Sequence, residues 1–188
     1  MKKTFIIANW KSNKTESEAK NWFDGFKIYD LPAGKAGLGF TDKEIVICPS
    51  FNLLPILKSY LLNHKSLIKI GAQNISPFDE GAYTGEVSAK QIKEFADYTL
   101  IGHSERRRNF NENDKILFKK VELANKYGLT PIFCVQGKET KIPSNSNIIA
   151  YEPINAIGTG HPDTPESAED VASFFKKDYN VRHVLYGG

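Results

Sequence analysis

The residues best suited to acid–base chemistry are a glutamate and a histidine that each follow a short apolar run. Glu152 comes directly after the run Ile148–Tyr151 and before Pro153, which ends it. A carboxylate buried at such a strand end is expected to be a stronger base, and an ion pair with a nearby arginine is the alternative. His103 ends a second run and precedes a charged segment, so either a catalytic or a purely structural histidine fits that position.

Groups that could hold an anion follow other apolar runs. Asn9 and Lys11 are polar and ionisable residues at the carboxyl end of the first run. The segment Ala156–Gly160 contains two glycines that would let backbone N–H groups approach an anion, although these residues alone favour a flexible turn. Tyr186 is followed by the glycines Gly187 and Gly188 in the same way.

Two kinds of element must position these residues. Seven apolar runs are typical of β-strands, at residues 4–9, 44–48, 67–71, 98–102, 129–135, 147–152 and 182–187. Five amphipathic stretches between them predict helices, at residues 15–29, 52–63, 88–96, 112–127 and 165–178. This alternation predicts an α/β protein with a parallel sheet.

Local signals refine this pattern. Thr15 and Glu18 have the spacing of a capping box, and Gly128 is placed to end the fourth helix. The interval between Val135 and Asn147 is polar and contains Pro143, so we expect the fifth crossover to be shortened to a loop. No linker divides the chain, which predicts a single domain over residues 1–188.

The motifs favour a closed barrel over an open dinucleotide-binding sheet. The first strand is followed by residues 9–14, which lack GxGxxG spacing, and no Walker A sequence occurs in the chain. Polar residues instead stand at the carboxyl ends of several strands. In a (β/α) barrel those ends converge on one face, where catalytic groups lie.

Composition limits the partners. Lysine and arginine number 25 against 22 acidic residues, which indicates neither nucleic acid nor a membrane surface as the main partner but leaves a small anion possible. The separated Cys48 and Cys134 suit a reducing compartment, and the short apolar N-terminus does not resemble a signal peptide, so we expect a cytoplasmic protein. The arginines at 106–108 are expected to form local ion pairs, and no histidine spacing indicates a metal site.

Several segments that carry these residues form an ordered set along the whole chain. They are Asn9–Lys11, Gly71–Asn74 with Gly81–Glu86, Ile101–Arg107, Tyr151–Ile154 with Ala156–Gly160, and Leu185–Gly188. Together they resemble the motifs of the triosephosphate isomerase family. The resemblance implies a TIM (β/α)8-type barrel that interconverts dihydroxyacetone phosphate and glyceraldehyde 3-phosphate through an enediolate, in glycolysis and gluconeogenesis, without a cofactor or metal.

The resemblance also implies residue roles. Glu152 would move the proton, His103 would polarise the substrate oxygens, and Asn9 and Lys11 would stabilise the enediolate. A helix beginning at Ser104 would disfavour a positive charge on His103. Glu105 would be a supporting acid, and phosphate would be bound by Gly158, Gly187 and Gly188.

The resemblance further implies a homodimer and an ion pair that holds a loop. The loop around Thr84 would insert beside the active site of a second subunit in a homodimer, and Glu112 would pair with Arg106.

Departures from the family pattern leave two alternatives open. Asn155 stands where the family usually has a tryptophan, and the chain stops at Gly188, before the expected eighth strand and half of the phosphate site. We therefore expect a barrel truncated after strand seven, which would leave an open sheet edge. The alternatives are a non-catalytic fragment that needs a complementary chain, and another cofactor-free sugar-phosphate barrel enzyme such as an epimerase.

Overall fold

A computed structural model describes residues 3–25, 43–64, 66–154, 156 and 161–187. Residues 26–29, which the sequence assigns to the first helix, lie outside these ranges. No helix within the described ranges is long and apolar enough to cross a membrane.

The described strands form one seven-stranded parallel sheet. Each strand pairs with the next one along the chain, in the order β1 to β7. The strands are β1 (Thr4–Asn9), β2 (Lys43–Cys48), β3 (Lys69–Ala72), β4 (Tyr98–Ile101), β5 (Thr130–Val135), β6 (Ile148–Tyr151) and β7 (His183–Tyr186). The seven predicted strands and their parallel arrangement are confirmed, and the sheet curls into a nearly closed barrel.

Helices connect most of the strands. They are α1 (Glu16–Gly25), α2 (Leu54–Asn63), α3 (Ala89–Lys93), α4 (Ser104–Phe110), α5 (Asp114–Lys126) and α6 (Pro165–Asp178). The predicted capping box is present, because the Thr15 N–H donates to Glu18 Oε2 at 2.7 Å and the Glu18 N–H donates to Thr15 Oγ1 at 3.4 Å. Gly128 follows α5 with a φ of 74°, a conformation that favours glycine, as predicted.

The fifth crossover is a loop, which confirms the sequence prediction. Residues 136–147, all of them described, contain no helix. The Gln136 N–H donates to Thr140 Oγ1 at 3.0 Å, and Lys138 forms an ion pair with Asp170 of α6. Ile142 is buried, so this loop covers apolar surface that a longer crossover helix would otherwise have to cover.

Two apolar layers hold the barrel together. The larger lies between the sheet and the helices and includes Phe133, Ile149 and Phe175. The smaller fills the barrel interior and includes Val46, Cys48, Leu100, Ile132 and Ile148. Since side chains alternate between the two faces of a strand, every second residue at a strand end points into the barrel mouth.

The sheet is open between its first and last strands. Within the described ranges, β1 pairs only with β2, and β7 pairs only with β6. The gap is partly filled at one end, where the rings of Phe5 and His183 stand 4.8 Å apart. Ile6 and Tyr186 on these strands are 48% and 45% exposed, so this edge is the least protected part of the sheet.

Candidate active site

One cavity of about 620 Å³ runs through the barrel interior, from Lys3 and Arg182 beside the amino ends of β1 and β7 to the carboxyl ends of the strands. Residues singled out in the sequence line it: Asn9, Lys11, His103, Glu152 and Gly187. A cavity of this size fits a small phosphorylated metabolite. The topology therefore brings together groups that are far apart in the sequence.

The side chains of His103 and Glu152 face each other in this cavity. His103 Nε2 lies 3.1 Å from Glu152 Oε1, and both side chains are nearly buried. His103 Nδ1 accepts the Glu105 N–H at 3.2 Å, which requires Nδ1 to be unprotonated. The ring is therefore neutral with its proton on Nε2, where it can donate a hydrogen bond to an oxygen in the cavity.

The turn before His103 depends on a glycine. Gly102 has a φ of 78°, and a Cβ atom there would lie 2.9 Å from Arg107 Nη2. Arg107 in turn donates to the Gly102 carbonyl at 2.8 Å and to the Cys134 carbonyl at 3.1 Å. Any side chain at residue 102 would displace the arginine that links β4 to β5.

Two further groups hold the Glu152 carboxylate. The Ser104 N–H, at the start of α4, donates to Glu152 Oε2 at 2.9 Å. Cys134 lies against Glu152, and burial together with that carboxylate raises the pKa of its thiol well above the usual value. The thiol therefore stays protonated and can donate weakly to the carboxylate.

Lys11 occupies a strained backbone conformation above the cavity. Its φ is 52°, which is uncommon for a residue with a side chain. The Lys11 N–H donates to Asn9 Oδ1 at 3.0 Å, and the Lys11 carbonyl accepts Gln73 Nε2 at 2.9 Å. Gln73 also donates to the Cys48 carbonyl at 2.8 Å, so one amide ties the lysine to the ends of β2 and β3.

Glu105 is the partner of the Lys11 ammonium group. Lys11 Nζ lies 2.7 Å from Glu105 Oε1, and this hydrogen bond holds the pKa of Glu105 below its usual value. Glu105 is therefore charged near neutral pH. The pair places one positive and one negative group at the cavity rim, next to the neutral histidine.

A buried ionic cluster lies behind this site. Glu112 Oε1 lies 2.7 Å from Arg106 Nε and 2.5 Å from Lys120 Nζ. Lys120 also donates to Asn74 Oδ1 at 2.6 Å, which links α5 to the loop after β3. The predicted pair of Glu112 and Arg106 is confirmed, as is the expectation of local ion pairs for the arginine run.

The remaining predicted residues have varied positions. Gly187 lines the cavity, but its N–H donates to the Tyr151 carbonyl at 2.9 Å, so that N–H is not available to a phosphate. Thr84 is exposed in a turn of the loop after β3. Gly158, Gly188 and Asn155 lie outside the described residues.

Comparison with known proteins decides the family. The family model described as triosephosphate isomerase matches residues 4–188. The chain belongs to this family.

Curated relatives agree with that assignment. A triosephosphate isomerase of Trichodesmium erythraeum is 37% identical over 215 positions, covering 100% of this chain and 84% of the relative. One from Mesomycoplasma hyopneumoniae is 40% identical, covering 99% and 84%, and one from Thermus thermophilus is 34% identical, covering 100% and 84%. The first alignment has 215 positions for the 188 residues of this chain, so the relative has residues that this chain lacks within the aligned region.

The sequence reasoning did not assign roles to three residues that support the site: Gln73, Ser104 and Cys134. Gln73 directly follows β3, and Asn9 is the last residue of β1, so the position of Gln73 at a strand end was a usable signal. Ser104 acts through its backbone N–H, which any residue except proline would provide. Cys134 was classed only as a reduced thiol, and its contact with Glu152 depends on how β5 and β6 pair.

Proposed function

We propose that this chain interconverts dihydroxyacetone phosphate and glyceraldehyde 3-phosphate by proton transfer through an enediolate. The observation that carries this proposal is the neutral His103 facing the Glu152 carboxylate in a cavity that also presents Lys11. A carboxylate base and a neutral hydrogen-bond donor are the two groups that proton transfer beside a carbonyl needs. Membership of the triosephosphate isomerase family points to the same reaction.

In this mechanism Glu152 removes a proton from the carbon beside the carbonyl and returns it to the neighbouring carbon. Both oxygens of Glu152 are engaged in the structure, by Ser104 N–H and by His103. At least one oxygen must therefore turn toward the cavity before it can act as the base. Gly187 borders Glu152, and a Cβ atom at residue 187 would lie at ordinary contact distance, 3.9 Å, from Glu152 Cγ.

The negative charge that forms on the substrate oxygens needs stabilisation by donors. His103 Nε2–H would donate to one oxygen, and the Lys11 ammonium and the Asn9 amide would hold the other side of the enediolate. Glu105 would orient the Lys11 ammonium group through their 2.7 Å contact, and it is our candidate for a supporting acid. Exclusion of water would strengthen all of these interactions.

Phosphate binding is the least complete part of the site. We propose that Gly158 and Gly188 offer backbone N–H groups to the phosphate, whereas the Gly187 N–H is already bonded to the Tyr151 carbonyl. Barrel phosphate sites typically use the loops after the seventh and eighth strands.

The test is a coupled assay of glyceraldehyde 3-phosphate isomerisation with the purified chain. Glu152→Gln removes the base and should lower turnover by about 10⁴-fold, the upper end for general base catalysis. Glu94→Gln, at the exposed residue that directly follows α3, should leave turnover unchanged. Activity that survives Glu152→Gln would contradict the proposal.

One observation favours a second candidate function. The open edge between β1 and β7 supports a barrel fragment that becomes active only when a complementary polypeptide supplies a strand. A folded chain without turnover would favour this candidate. Turnover of ribulose phosphate without turnover of triose phosphate would instead favour an epimerase.

We further propose that two copies of the chain form a homodimer through the loop after β3. Phe78 and Tyr83 in this loop are each 44% exposed, and their rings stack 4.2 Å apart. Exposed aromatic residues of this kind are enriched at interfaces. Thr84→Arg at the neighbouring exposed position should convert a dimer to monomers in analytical ultracentrifugation, whereas Glu94→Arg should not.

The seven strands form one continuous sheet, which supports our proposal that residues 1–188 are a single domain.

We also propose a cytoplasmic location. Cys48 and Cys134 are free and buried, and burial raises the pKa of the Cys48 thiol to about 12. Two protonated thiols are typical of proteins from a reducing compartment. Fractionation of the producing cells with an antibody against the chain would test this location.

A further inference from the structure

Asp163 stands where the segment after Glu152 returns to the barrel, just before α6. Its carboxylate accepts hydrogen bonds at both oxygens: Oδ2 from the Tyr151 hydroxyl at 2.9 Å and the Ser167 hydroxyl at 2.7 Å, and Oδ1 from the Thr164 N–H at 2.9 Å. The Asp163 N–H donates to the Tyr186 hydroxyl at 2.8 Å. This one residue therefore joins β6, β7 and the start of α6.

Helix capping does not account for this arrangement. Thr164 is the N-cap of α6, because its hydroxyl accepts the Ser167 N–H at 3.2 Å. A charged carboxylate near a helix N-terminus adds only a modest stabilisation. The bond from Asp163 to Tyr151 serves neither purpose, since it reaches across to a strand.

Tyr151 is covalently joined to Glu152, and the two side chains point to opposite faces of the sheet. Tyr151 packs in the layer between sheet and helices, whereas Glu152 lines the cavity. The backbone here is held on both sides, by Gly187 N–H to the Tyr151 carbonyl at 2.9 Å and by Glu152 N–H to the Val135 carbonyl at 2.8 Å. Fixing the Tyr151 ring therefore fixes the peptide that carries the Glu152 side chain.

The cluster is charged under ordinary conditions. The hydrogen bond from Ser167, and then that from Tyr151, hold the pKa of Asp163 below its usual value. Burial, and then the Asp163 carboxylate, raise the pKa of Tyr151, so its hydroxyl remains a donor. A hydrogen bond to a charged acceptor is stronger than one between neutral groups.

We propose that Asp163 is a positioning residue for Glu152, acting through the Tyr151 hydroxyl to hold the Glu152 backbone in place for proton transfer. This inference rests on the proposed role of Glu152 as the base. The Asp163 carboxylate contacts no group that lines the cavity, and its effect passes along the end of β6; the contact with Tyr186, which does line the cavity, is made by the Asp163 backbone N–H and remains in a side-chain variant.

The kinetic test is a double-mutant cycle of Asp163→Ala and Tyr151→Phe. We expect each single change to lower kcat about tenfold, which corresponds to one hydrogen bond to a charged group, with KM changed less than about twofold. The double variant should lose no more than either single one, because both remove the same bond. Asp170→Ala, which removes an exposed ion pair of α6 with Lys138, is the control and should retain kcat. Additive losses, or an unchanged kcat in Asp163→Ala, would overturn the proposal.

A second measurement does not depend on turnover. The Ser104 amide donates directly to the Glu152 carboxylate, and the Glu152 amide holds the strand end. Amide hydrogen exchange at both positions should accelerate about tenfold in Asp163→Ala and Tyr151→Phe, while exchange at Leu100 in β4 stays the same. Equal exchange in the variants and the parent chain would refute the positioning role. If the parent chain lacks turnover, the isomerase proposal fails for this chain alone, and the exchange rates still decide whether Asp163 positions Glu152.

Discussion

The inner strands β4, β5 and β6 differ sharply from the edge strands β1 and β7, although both groups carry site residues. The inner strands are paired on both sides, and the His103 and Glu152 side chains at their ends are only 12% and 9% exposed. The edge strands are paired on one side, and the Lys11 side chain beyond β1 is 46% exposed. The two residues that we propose for proton transfer thus lie at the ends of strands that are paired on both sides, and the lysine that we propose for charge stabilisation lies beside the open edge.

This difference indicates which of the proposed catalytic side chains the described fold holds most firmly in place. His103 and Glu152 are held by backbone donors from α4, which move little once the helix is packed. Lys11 depends on two side-chain amides, those of Asn9 and Gln73, to keep its positive φ. We therefore expect the inner strands to tolerate changes at the edge, whereas substrate charge stabilisation should depend on the edge.

The largest expected effect is the loss of rate in Glu152→Asp. The carboxylate retreats by one methylene from the substrate carbon, and a displacement of about 1 Å can already cost about 10²-fold. Loss of the whole base would cost up to about 10⁴-fold, so we expect a fall in kcat of about 10³-fold. The coupled isomerase assay measures this, with circular dichroism to show that the fold is retained. Unchanged turnover would remove Glu152 from the role of base.

The next effect is on stability, in Glu112→Ala behind the inner strands. This change leaves the Lys120 ammonium, which is 2% exposed, without its carboxylate partner. Burial lowers the pKa of Lys120 even with Glu112 present, which shows how poorly this site accommodates an unpaired charge. Breaking a buried ion pair in this way costs about 3 kcal/mol in the free energy of unfolding. Urea unfolding followed by tryptophan fluorescence would measure that loss.

Glu122→Ala, on the exposed side of the same helix, is the matched control for Glu112→Ala. Glu122 pairs with Lys119 at 2.9 Å, and both side chains are largely exposed. Such a pair contributes about 0.5 kcal/mol or less. Similar losses in the two variants would mean that the Glu112 cluster is not a special support of the inner strands.

The sequence was sufficient to predict the seven strands, most of the helices and five of the residues that line the cavity. Strand runs, helix caps and the polar stretch around Pro143 are local features, so the strands and the shortened fifth crossover were predictable. The convergence of Asn9, His103 and Glu152 followed from the rule that parallel strand ends meet on one face of a barrel.

Contacts between distant side chains were less predictable. Gln73 and Cys134 act through pairings of neighbouring strands, and the Asp163 cluster requires three elements to meet at one residue, through its carboxylate and its backbone N–H. No local periodicity in the sequence indicates such contacts. Ser104 contributes a backbone N–H, which carries no signature in its residue type. The exposure of the Lys11 side chain was not predictable either, because it depends on how far the whole sheet closes beside β1.

A smaller rate effect is expected from Lys11→Met at the edge. Removing one preorganised donor to a developing oxyanion typically costs about 10²-fold in kcat. Melting temperature should change little, because the Lys11 side chain is half exposed and the amides of Asn9 and Gln73 hold its backbone. The isomerase assay and a thermal melt together measure both quantities.

Lys14→Met controls for the removal of a lysine from the same loop. Lys14 Nζ lies 5.3 Å from the centre of the Trp10 ring and does not line the cavity. Its loss should leave kcat unchanged. A wild-type rate in Lys11→Met would show that the edge does not supply the charge stabilisation, and the contrast between inner and edge strands would then concern stability alone.

The smallest effect is a pH dependence that arises outside both groups of strands, at Asp79. Hydrogen bonds from Lys126 and then from Tyr127 lower the pKa of Asp79 to about 2, and they tie the loop after β3 to the end of α5. The pKa is depressed in the folded state, so the stabilisation is present above the unfolded pKa of about 3.9 and is lost as the pH falls through about 2. The melting temperature of the parent chain should therefore exceed that of Asp79→Asn by a constant, small margin above about pH 4, and the margin should shrink between about pH 4 and pH 2. Because Asp79 is at the surface, added salt should reduce the same margin. A margin that persists unchanged at pH 2 would mean that the loop is held by its packing and not by this carboxylate.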